Sequence, residues 1–373
     1  MTHSMRVCAF GSFDRAFDRS WILLEALEQA GAEVVYCHFD LWAGHRHKTK
    51  LFPWRWLLLA GRYLAGMISI ARQFRRSPRA DVLYVGYMGH VDLLVAAFLN
   101  RKRRSTLVFD PCISLYNTLV EDRRIVGEGG LVARLIRRLD VTPCRLADLV
   151  LSDTSAHGEY FEEVLGVPPA KIRRVFIGAG RDWQRARWSP RDDGRFEVLF
   201  FAKFSPLHGL PVILDAIERL KAESIHFTFA GGGQLEDQVR AAVARSKASA
   251  LEWIPWLERD ALIEHMSHCQ LMLGIFGDTT KAAMVIPNKV FQALAMGVPV
   301  VTRDSPAIRE LLDDGQSMFT CAVDGATLAT VILTCRRNFS GVKAVADRGH
   351  AVFEARASHP ALARQFFEAL GGR

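Results

Sequence analysis

The sequence predicts an α/β protein made of two doubly wound parallel-sheet domains. Three observations predict this. The chain has 373 residues, which exceeds the length at which a single core keeps growing. Half of its residues are apolar and about a quarter are charged, as in ordinary globular proteins. Short apolar runs alternate with helical stretches in both halves, which is the pattern of parallel sheets covered by helices.

The first half opens with a strand, a glycine turn, a helix and a second strand. Met5 to Phe10 is apolar, Gly11 and Ser12 form the turn, and a helical pattern stops at Gly31 before Glu33 to His38. This order is typical of a βαβ unit. Further strands are predicted at Val82–Val85, Thr106–Phe109, Leu149–Leu151 and Arg174–Ile177.

The second half repeats the alternation after a charged break. Its predicted strands are Glu197–Phe201, His226–Ala230, Leu271–Phe276 and Pro299–Thr302, with helices at Leu210–Leu220 and Lys289–Met296. We therefore expect domains at 1–180 and 196–355, a linker at 181–195 and a C-terminal helix at 356–373 that crosses back to the first domain. Two such sheets are expected to face each other across a cleft, with ligands at the carboxyl ends of their strands.

The net charge of +8 is concentrated in one segment. Residues 41–80 contain nine Lys or Arg residues and no Asp or Glu. At helical spacing, Arg55, Arg62, Arg72 and Arg76 share one face, which favours contact with an anionic membrane surface; the alternative is a surface helix with solvated arginines. The apolar runs here are too short to span a bilayer. No recognition motif accompanies the charge, so we expect no nucleic-acid partner.

The cysteines and the amino terminus indicate the compartment. Seven cysteines, scattered and without a Cys-x-x-Cys pair, are typical of reduced thiols. Met1 to Phe10 lacks the three regions of an export signal. We expect a cytoplasmic protein, free or peripheral on the cytoplasmic face of the membrane.

Two loops at predicted strand ends carry the chemistry. Lys203 and His208 lie in the segment AKFSPLHG, between a strand and a helix. Lys281 and Lys289 lie around a second helix start in FGDTTKAAMVIPNK. Cations near the free N–H groups of helix starts are well suited to bind a diphosphate. The alternatives are a solvated Lys203 and an Asn288 that serves only as a helix cap.

These two segments resemble the retaining glycosyltransferases of family 4, especially a bacterial subgroup with PLHG and IPNK motifs. The second half resembles it through AKFSPLHG and FGDTTKAAMVIPNKVFQALAMGVPVVT, and the first half through FGSFD, VFDPCISLYNTLVEDR and ADLVLSDTSAH. The resemblance implies the GT-B fold, with two Rossmann-like domains. It also implies that 1–180 binds the acceptor and 196–355 binds the nucleotide-sugar donor.

The resemblance implies residue roles as well. Lys203 and His208 stand where the family has an Arg and a Lys that hold the donor diphosphate, and Gln292 stands where a Glu binds the ribose. Met284 replaces the family's other Glu and cannot bind the sugar in that way. The expected catalytic residues are Lys203, His208 and Asp110. The expected donor-binding residues are Gly11, Gly231, Gly232, Gly277, Asp278, Lys281, Asn288, Lys289, Gln292 and Glu310.

Two of these roles depend on ionisation. His208 has full charge only when protonated, near or below a pKa of about 6.5. The sequence therefore predicts that His208→Lys keeps activity and flattens its pH dependence. Asp110 is expected either to act as general base for the acceptor or to cap the turn beside Pro111.

No metal or cofactor is expected. Asp192-Asp193 and Asp313-Asp314 are adjacent pairs, whose side chains rarely converge on one ion. Walker, nucleophile-elbow and zinc-helix motifs are missing, and Gly231 to Gly233 is not a dinucleotide fingerprint. The co-substrate is expected to be a UDP- or GDP-sugar.

The predicted function is hexosyl transfer (EC 2.4) with retention, to a glycan or lipid-linked acceptor in polysaccharide or glycoconjugate biosynthesis. Met284 and Gln292 leave open a catalytically silent, nucleotide-sugar-binding scaffold protein. A GT-B epimerase or phosphorylase is the third reading.

Overall fold

The computed structural model describes residues 4–13, 18–41, 53–246 and 250–371, apart from the side chains of 18 and 53–57. The chain forms two compact units. The first comprises Met1–Val120, Arg124–Ile177 and His359–Arg373, and the second comprises Glu121–Arg123 and Gly178–Ser358. Each unit contains a six-stranded parallel sheet with helices on its faces, so the predicted α/β fold class is confirmed.

The first sheet is buried on both faces. Its strands, in chain order, are β1 (Arg6–Gly11), β2 (Glu33–His38), β3 (Val82–Val85), β4 (Thr106–Phe109), β5 (Leu149–Ser152) and β6 (Ile172–Arg174). They lie in the order β2-β1-β3-β4-β5-β6. The helices are α1 (Asp18–Gln29), α2 (Pro53–Arg76), α3 (His90–Asn100), α4 (Leu131–Leu146) and α5 (Ser155–Glu163). Because parallel crossovers are right-handed, α1 covers one face of the sheet, and α2, α3 and α4 cover the other.

The second unit repeats the design. Its strands are β7 (Phe196–Ala202), β8 (Ile225–Gly231), β9 (Leu251–Ile254), β10 (Leu271–Leu273), β11 (Val300–Arg303) and β12 (Phe319–Cys321), in the order β12-β11-β10-β7-β8-β9. The helices are α6 (Arg181–Arg185), α7 (Leu210–Arg219), α8 (Glu236–Arg245), α9 (Arg259–His268), α10 (Thr280–Met284), α11 (Asn288–Met296), α12 (Pro306–Arg309), α13 (Gly325–Arg337) and α14 (Phe339–Arg356). The last helix, α15 (His359–Gly371), belongs to the first unit, where it packs against α1.

The segment predicted as a linker, 181–195, packs against the second unit. Trp183 of α6 is buried, and α6 packs against α11. The Trp188 indole donates a hydrogen bond of 2.7 Å to the carbonyl of Cys269. These contacts place the boundary of the second unit at Gly178, before the charged stretch.

Two predicted strands end earlier in the structure, each because its backbone binds elsewhere. The run predicted at Arg174–Ile177 leaves the sheet after Arg174; the carbonyls of Val175 and Phe176 instead accept hydrogen bonds from the Arg19 guanidinium. The run predicted at Leu271–Phe276 ends at Leu273, and the Phe276 N–H donates to the His208 carbonyl. Both departures occur at the carboxyl edges of the sheets, where open α/β proteins hold their ligands.

Candidate functional site

The loops after β7 and β10 are joined through their main chains. The N–H groups of Phe276 and Gly277 donate hydrogen bonds of 3.1 Å to the carbonyls of His208 and Leu207. A Cβ on Gly209, which has a φ of 65°, would lie 2.0 Å from the Phe276 carbonyl carbon. A Cβ on Gly277 would lie 2.5 Å from the Leu207 oxygen. Only glycine therefore permits this close approach, which brings the two cation-bearing loops of the sequence together.

The loop after β8 supports the same assembly from the other side. Gly231 has a φ of 123°, and its Cβ would lie 2.0 Å from the Ala202 oxygen. The Gly232 carbonyl accepts a hydrogen bond of 3.2 Å from the Phe204 N–H. These contacts give both glycines a packing role beneath the loop after β7, and donor contact by either one stays a prediction.

Lys289 is a buried cation at the start of α11. Its side chain is only 5% exposed, and its Nζ lies 4.4 Å from the ring centroid of Phe200 and 5.4 Å from that of Phe201. Nζ has no hydrogen-bond partner in the described part of the chain. Burial without a carboxylate lowers the pKa of Lys289 from 10.5 to about 7. The site therefore holds a cation that is incompletely solvated and lacks a counter-ion.

The helix start adds partial positive charge beside Lys289. The cap residue of α11 is Pro287, without a side-chain cap, and Asn288 is the first residue inside the helix. The alternative that Asn288 serves as the cap is therefore wrong. The first N–H groups of a helix have no carbonyl one turn earlier to bind, so the start of α11 suits an anion in the same place as Lys289.

His208 shares this environment but carries no charge at neutral pH. Its Nδ1 forms a hydrogen bond of 3.0 Å with Ser205 Oγ, and its ring stands edge-on to Phe200 at 6.4 Å. Burial first, and then the nearby Lys289 charge, lower the pKa of His208 well below 6.5. His208 is therefore expected to interact as a neutral imidazole, and its contact with the donor diphosphate stays a prediction.

The remaining predicted donor residues surround this centre at different depths. Lys203 and Asp278 are exposed at the ends of β7 and of the glycine loop, Lys281 is half-buried on α10, and Gln292 is buried on α11. The helix α10 packs against the 206–208 turn and against α12, which Glu310 directly follows. Met284 is buried at the end of α10, where it packs as an apolar residue.

Sequence reasoning missed three residues that position the site. Phe200 lies under both Lys289 and His208, and Ser205 fixes the His208 ring. Arg303, at the end of β11, donates a hydrogen bond to the Gly277 carbonyl. Ser205 belongs to the AKFSPLHG segment, so the sequence offered it as a candidate. Arg303 comes from a strand distant in sequence, so no local pattern indicates it.

Asp110 lies in a buried ion pair in the first unit. Its Oδ2 accepts hydrogen bonds from Arg19 Nε at 2.8 Å and from the Tyr84 hydroxyl at 2.7 Å, and its side chain is 0% exposed. The same guanidinium donates to two carbonyls after β6. Although burial lowers the pKa of Arg19, the Asp110 carboxylate reverses this and the net pKa is raised. These contacts favour a structural role for Asp110 over the role of general base.

A cavity opens at the carboxyl edge of the first sheet. It has a volume of about 240 Å³ and is lined by Ser12, Leu41, Tyr63, Tyr87, Met88, Val91 and Asp92. Asp92 accepts hydrogen bonds of 2.6 Å from the Ser12 N–H and the Tyr63 hydroxyl. A Cβ on Gly11 would lie 2.7 Å from Asp92 Oδ2, so Gly11 makes room for this carboxylate, and its predicted donor contact stays a prediction.

Two searches of the described residues gave no candidate. They contain no group of three or more His, Cys, Asp or Glu side chains arranged to hold a metal ion. Within the same ranges, no helix is both long and apolar enough to cross a bilayer.

The chain has the GT-B fold, which consists of two domains that each contain a parallel sheet covered by helices. The chain is similar to the crystal structure of Anabaena Alr3699/HepE in complex with UDP-glucose, with a TM-score of 0.69, 16% identity, and coverage of 99% of this chain and 100% of that one. The chain is also similar to sucrose-phosphate synthase from Thermosynechococcus elongatus, with a TM-score of 0.73, 12% identity, and coverage of 99% of this chain and 98% of that one. A third similar structure is the lipopolysaccharide outer core galactosyltransferase WaaB, with a TM-score of 0.61, 15% identity, and coverage of 98% of this chain and 99% of that one.

Family models match both halves of the sequence. Residues 1–178 match the glycosyl transferase 4-like domain, and residues 195–338 match glycosyl transferases group 1. No curated protein matches the chain. Together the two models account for most of the sequence. The chain therefore carries a glycosyl transferase 4-like domain followed by a glycosyl transferases group 1 domain, and it is a glycosyltransferase enzyme.

Proposed function

We propose that this enzyme transfers a sugar, with retention, from a UDP- or GDP-sugar to a glycan or lipid-linked acceptor. The observation that carries the proposal is Lys289, a buried ammonium without a hydrogen-bond partner at the start of α11. A donor diphosphate supplies the anion that such a site lacks. The similar fold of HepE, whose structure contains UDP-glucose, supports a nucleotide-sugar donor.

The site's charge matches the charge that develops in the reaction. As the bond between the anomeric carbon and the diphosphate oxygen breaks, its electron pair moves to the leaving group. Lys289 and the first N–H groups of α11 stabilise that negative charge, with Lys203 at the exposed edge. The acceptor hydroxyl oxygen forms the new bond to the anomeric carbon, and its proton passes to an oxygen of the departing nucleoside diphosphate. Retention rests on the similarity of the PLHG and IPNK segments to the retaining family.

The cavity of the first unit is the proposed acceptor site. Its lining combines two tyrosines, Tyr63 and Tyr87, with apolar Met88 and Val91 and a buried carboxylate, a mixture that suits a sugar ring. A volume of about 240 Å³ is enough for one sugar residue of a glycan or lipid-linked acceptor. From an acceptor of this class we infer a role in polysaccharide or glycoconjugate biosynthesis.

The basic helix α2 is the proposed contact with the cytoplasmic face of a membrane. Arg62, Arg72 and Arg76 are exposed along it, whereas the Arg55 side chain lies outside the described residues. Arg62 also donates a hydrogen bond of 3.2 Å to the Asp40 carbonyl. A lipid-linked acceptor and a peripheral position on the membrane are consistent with one another.

A ligand panel tests the donor proposal. UDP, GDP and their sugars are added to the wild type and to Lys289→Met, and the unfolding temperature is followed. We expect one nucleotide series to stabilise the wild type and not the variant, because a ligand that binds only the folded state raises stability by mass action. The proposal is wrong if no nucleotide shifts the wild type.

Product analysis separates the alternative functions. A scaffold protein, motivated by Met284 and Gln292, would bind a nucleotide sugar and release no sugar product. An epimerase would change the sugar without an acceptor, and a phosphorylase would need inorganic phosphate. The proposed transferase forms a new glycoside only when an acceptor is present, and NMR of the anomeric proton reports whether configuration is retained.

A further inference from the structure

Three helices form one continuous face of the first unit. The helices α2, α3 and α4 cover the same side of the sheet. The Tyr63 hydroxyl of α2 donates a hydrogen bond of 2.6 Å to Asp92 of α3, and α3 packs against α4. We call this surface the α2–α4 face.

The α2–α4 face exposes most of the large apolar side chains that are exposed in the described residues. Leu131 is 79% exposed, Leu64 is 64% exposed and Phe98 is 63% exposed. The set on the three helices is Leu58, Leu64, Ile68, Val91, Phe98, Leu131, Val132, Leu135 and Leu146. Leu64 and Ile68, like Leu131 and Leu135, lie one turn apart and form ridges. Contiguous exposed apolar surface of this kind marks a partner or a membrane.

The exposed charges on the three helices themselves have a single sign. The only carboxylates in the three helices are Asp92 and Asp140, and both are buried. Asp140 accepts a hydrogen bond of 2.8 Å from Ser114 Oγ and pairs with His90 at 3.0 Å, so neither acid offsets charge at the surface. The exposed cations of the helices are Arg62, Arg72, Arg75, Arg76, Arg134, Arg137, Arg138 and Arg145.

A groove between the ends of α3 and α4 combines both chemistries. Its volume is about 550 Å³, and its lining includes Phe98 and Leu146 beside Arg101 and Arg104. One carboxylate, Asp148, also lines the groove and accepts a hydrogen bond of 2.8 Å from the Leu107 N–H. The Arg101 guanidinium lies 5.5 Å from the Phe98 ring centroid. Apolar rings and arginines side by side match the junction between the acyl chain and the phosphate of a lipid.

We propose that the α2–α4 face docks on an anionic lipid bilayer, with its apolar ridges in the headgroup region and its arginines at the lipid phosphates. This extends the proposed contact of α2 to three helices. It does not depend on the transfer reaction. Charge complementarity favours lipid, because one surface satisfies the ridges and the arginines together. A second copy of this chain as the occupant is left as an outcome of the test.

Vesicle binding by variants tests the proposal. The wild type is mixed with phosphatidylcholine vesicles, with and without phosphatidylglycerol, and bound protein is measured by co-sedimentation. We expect binding only with phosphatidylglycerol. The variant Arg72→Gln, Arg75→Gln, Arg134→Gln, Arg138→Gln should bind on the order of 600-fold more weakly, at roughly fivefold per arginine. The variant Leu64→Ser, Ile68→Ser, Leu131→Ser, Leu135→Ser should bind at least about tenfold more weakly.

A matched control removes the same charge elsewhere. Arg191, Arg195, Arg245 and Arg337 are exposed in the second unit, and their change to Gln should leave binding within about twofold. If the control variant and the arginine variant lose vesicle binding equally, net charge alone explains the loss, and the proposal is overturned. The proposal is also overturned if the wild type does not bind phosphatidylglycerol vesicles. The same holds if the wild type forms dimers that the leucine variant disrupts. Nucleotide-induced thermal shifts in the same variants report donor binding separately.

Discussion

The two units treat buried charge in opposite ways. In the first unit, Arg19 and Asp110 form a buried pair at 2.8 Å, and His90 and Asp140 form another at 3.0 Å. In the second unit, Lys289 is also buried. Its Nζ lies 4.4 and 5.4 Å from two aromatic ring centroids and has no hydrogen-bond partner within the described residues.

This difference separates structural charge from charge kept for a ligand. An isolated buried ion is costly, so a folded chain normally pairs it. In the first unit, Asp110 Oδ2 accepts hydrogen bonds from both Arg19 and Tyr84, while Asp110 Oδ1 and Arg19 Nη2 have no hydrogen-bond partner within the described residues. In the second unit, the buried Lys289 has a lowered pKa and no carboxylate partner, a combination that is found at functional sites. The following experiments ask whether each charge has the role that its partners indicate.

The largest effect is expected from breaking the paired charge. Asp110→Asn removes the carboxylate that neutralises the buried Arg19, so we expect the free energy of unfolding to fall by about 3–5 kcal/mol. Chemical denaturation measures it. Nucleotide-induced thermal shifts should persist in the variant. A variant that keeps wild-type stability but loses kcat by a hundredfold or more would instead identify Asp110 as the general base.

The unpaired charge should affect activity rather than stability. Lys289→Met removes the proposed stabilisation of the leaving group, so kcat/KM should fall by about 10²–10³-fold. The ligand-free protein should become more stable by roughly 1–3 kcal/mol, because no unpaired cation is then buried. Lys343→Met is the control, since Lys343 is an exposed lysine 5.3 Å from the Phe339 ring. Unchanged kinetics in Lys289→Met would remove the basis of the comparison.

Lys289 should make both the stability of the protein and its donor binding depend on pH, in opposite directions. The pKa of Lys289 is lowered to about 7 in the folded protein from 10.5, so the unfolded chain holds more protons in this window and stability rises from pH 7 upward. Donor binding needs the protonated form, so KM for the donor should rise up to about tenfold per pH unit above 7. Calorimetry and kinetics at pH 6 to 9 measure both trends. They should disappear together in Lys289→Met.

The smallest effect concerns the neutral histidine. Ser205→Ala removes the hydrogen bond to His208 Nδ1. We expect kcat/KM to fall, with a rise of about 0.5–1.5 kcal/mol in the corresponding activation free energy. His208→Lys, by contrast, places a second ammonium beside Lys289 and should keep donor binding, because the family that this segment resembles has a Lys here that holds the diphosphate. Steady-state kinetics at pH 7 compare the two. A His208→Lys variant with unchanged activity and a flattened pH profile would restore the protonation hypothesis.

Local patterns predicted the sheets but not all of their edges. The strands at Val82–Val85 and Thr106–Phe109 match the structure residue for residue, because short apolar runs bounded by turns define buried parallel strands. The edge strands β9 and β12 were not predicted, since they have only one neighbour in the sheet and a weaker apolar pattern. The early ends of β6 and β10 depend on Arg19 and the His208 carbonyl, which local patterns cannot connect to them.

The sequence predicted where the candidate site lies better than it predicted which of its cations is buried. The sequence placed Lys203, His208 and Lys289 at strand ends, and the structure brings their loops together. Lys203 was ranked first, yet it is exposed, whereas Lys289 is buried. Burial depends on Phe200 and Phe201, which belong to another strand. The exposed ridge of α4 was missed for the same reason, since exposure is a property of packing.

The main-chain joint between the loops after β7 and β10 has a consequence for protein engineering. Because the hydrogen bonds at His208 and Leu207 use carbonyl oxygens, the position of each loop does not depend on which side chain it carries. Replacements at 203, 208 and 281 should therefore change chemistry on a fixed frame, provided that Gly209 and Gly277 are kept. A library varied at those three positions can explore new donors at little cost in foldability.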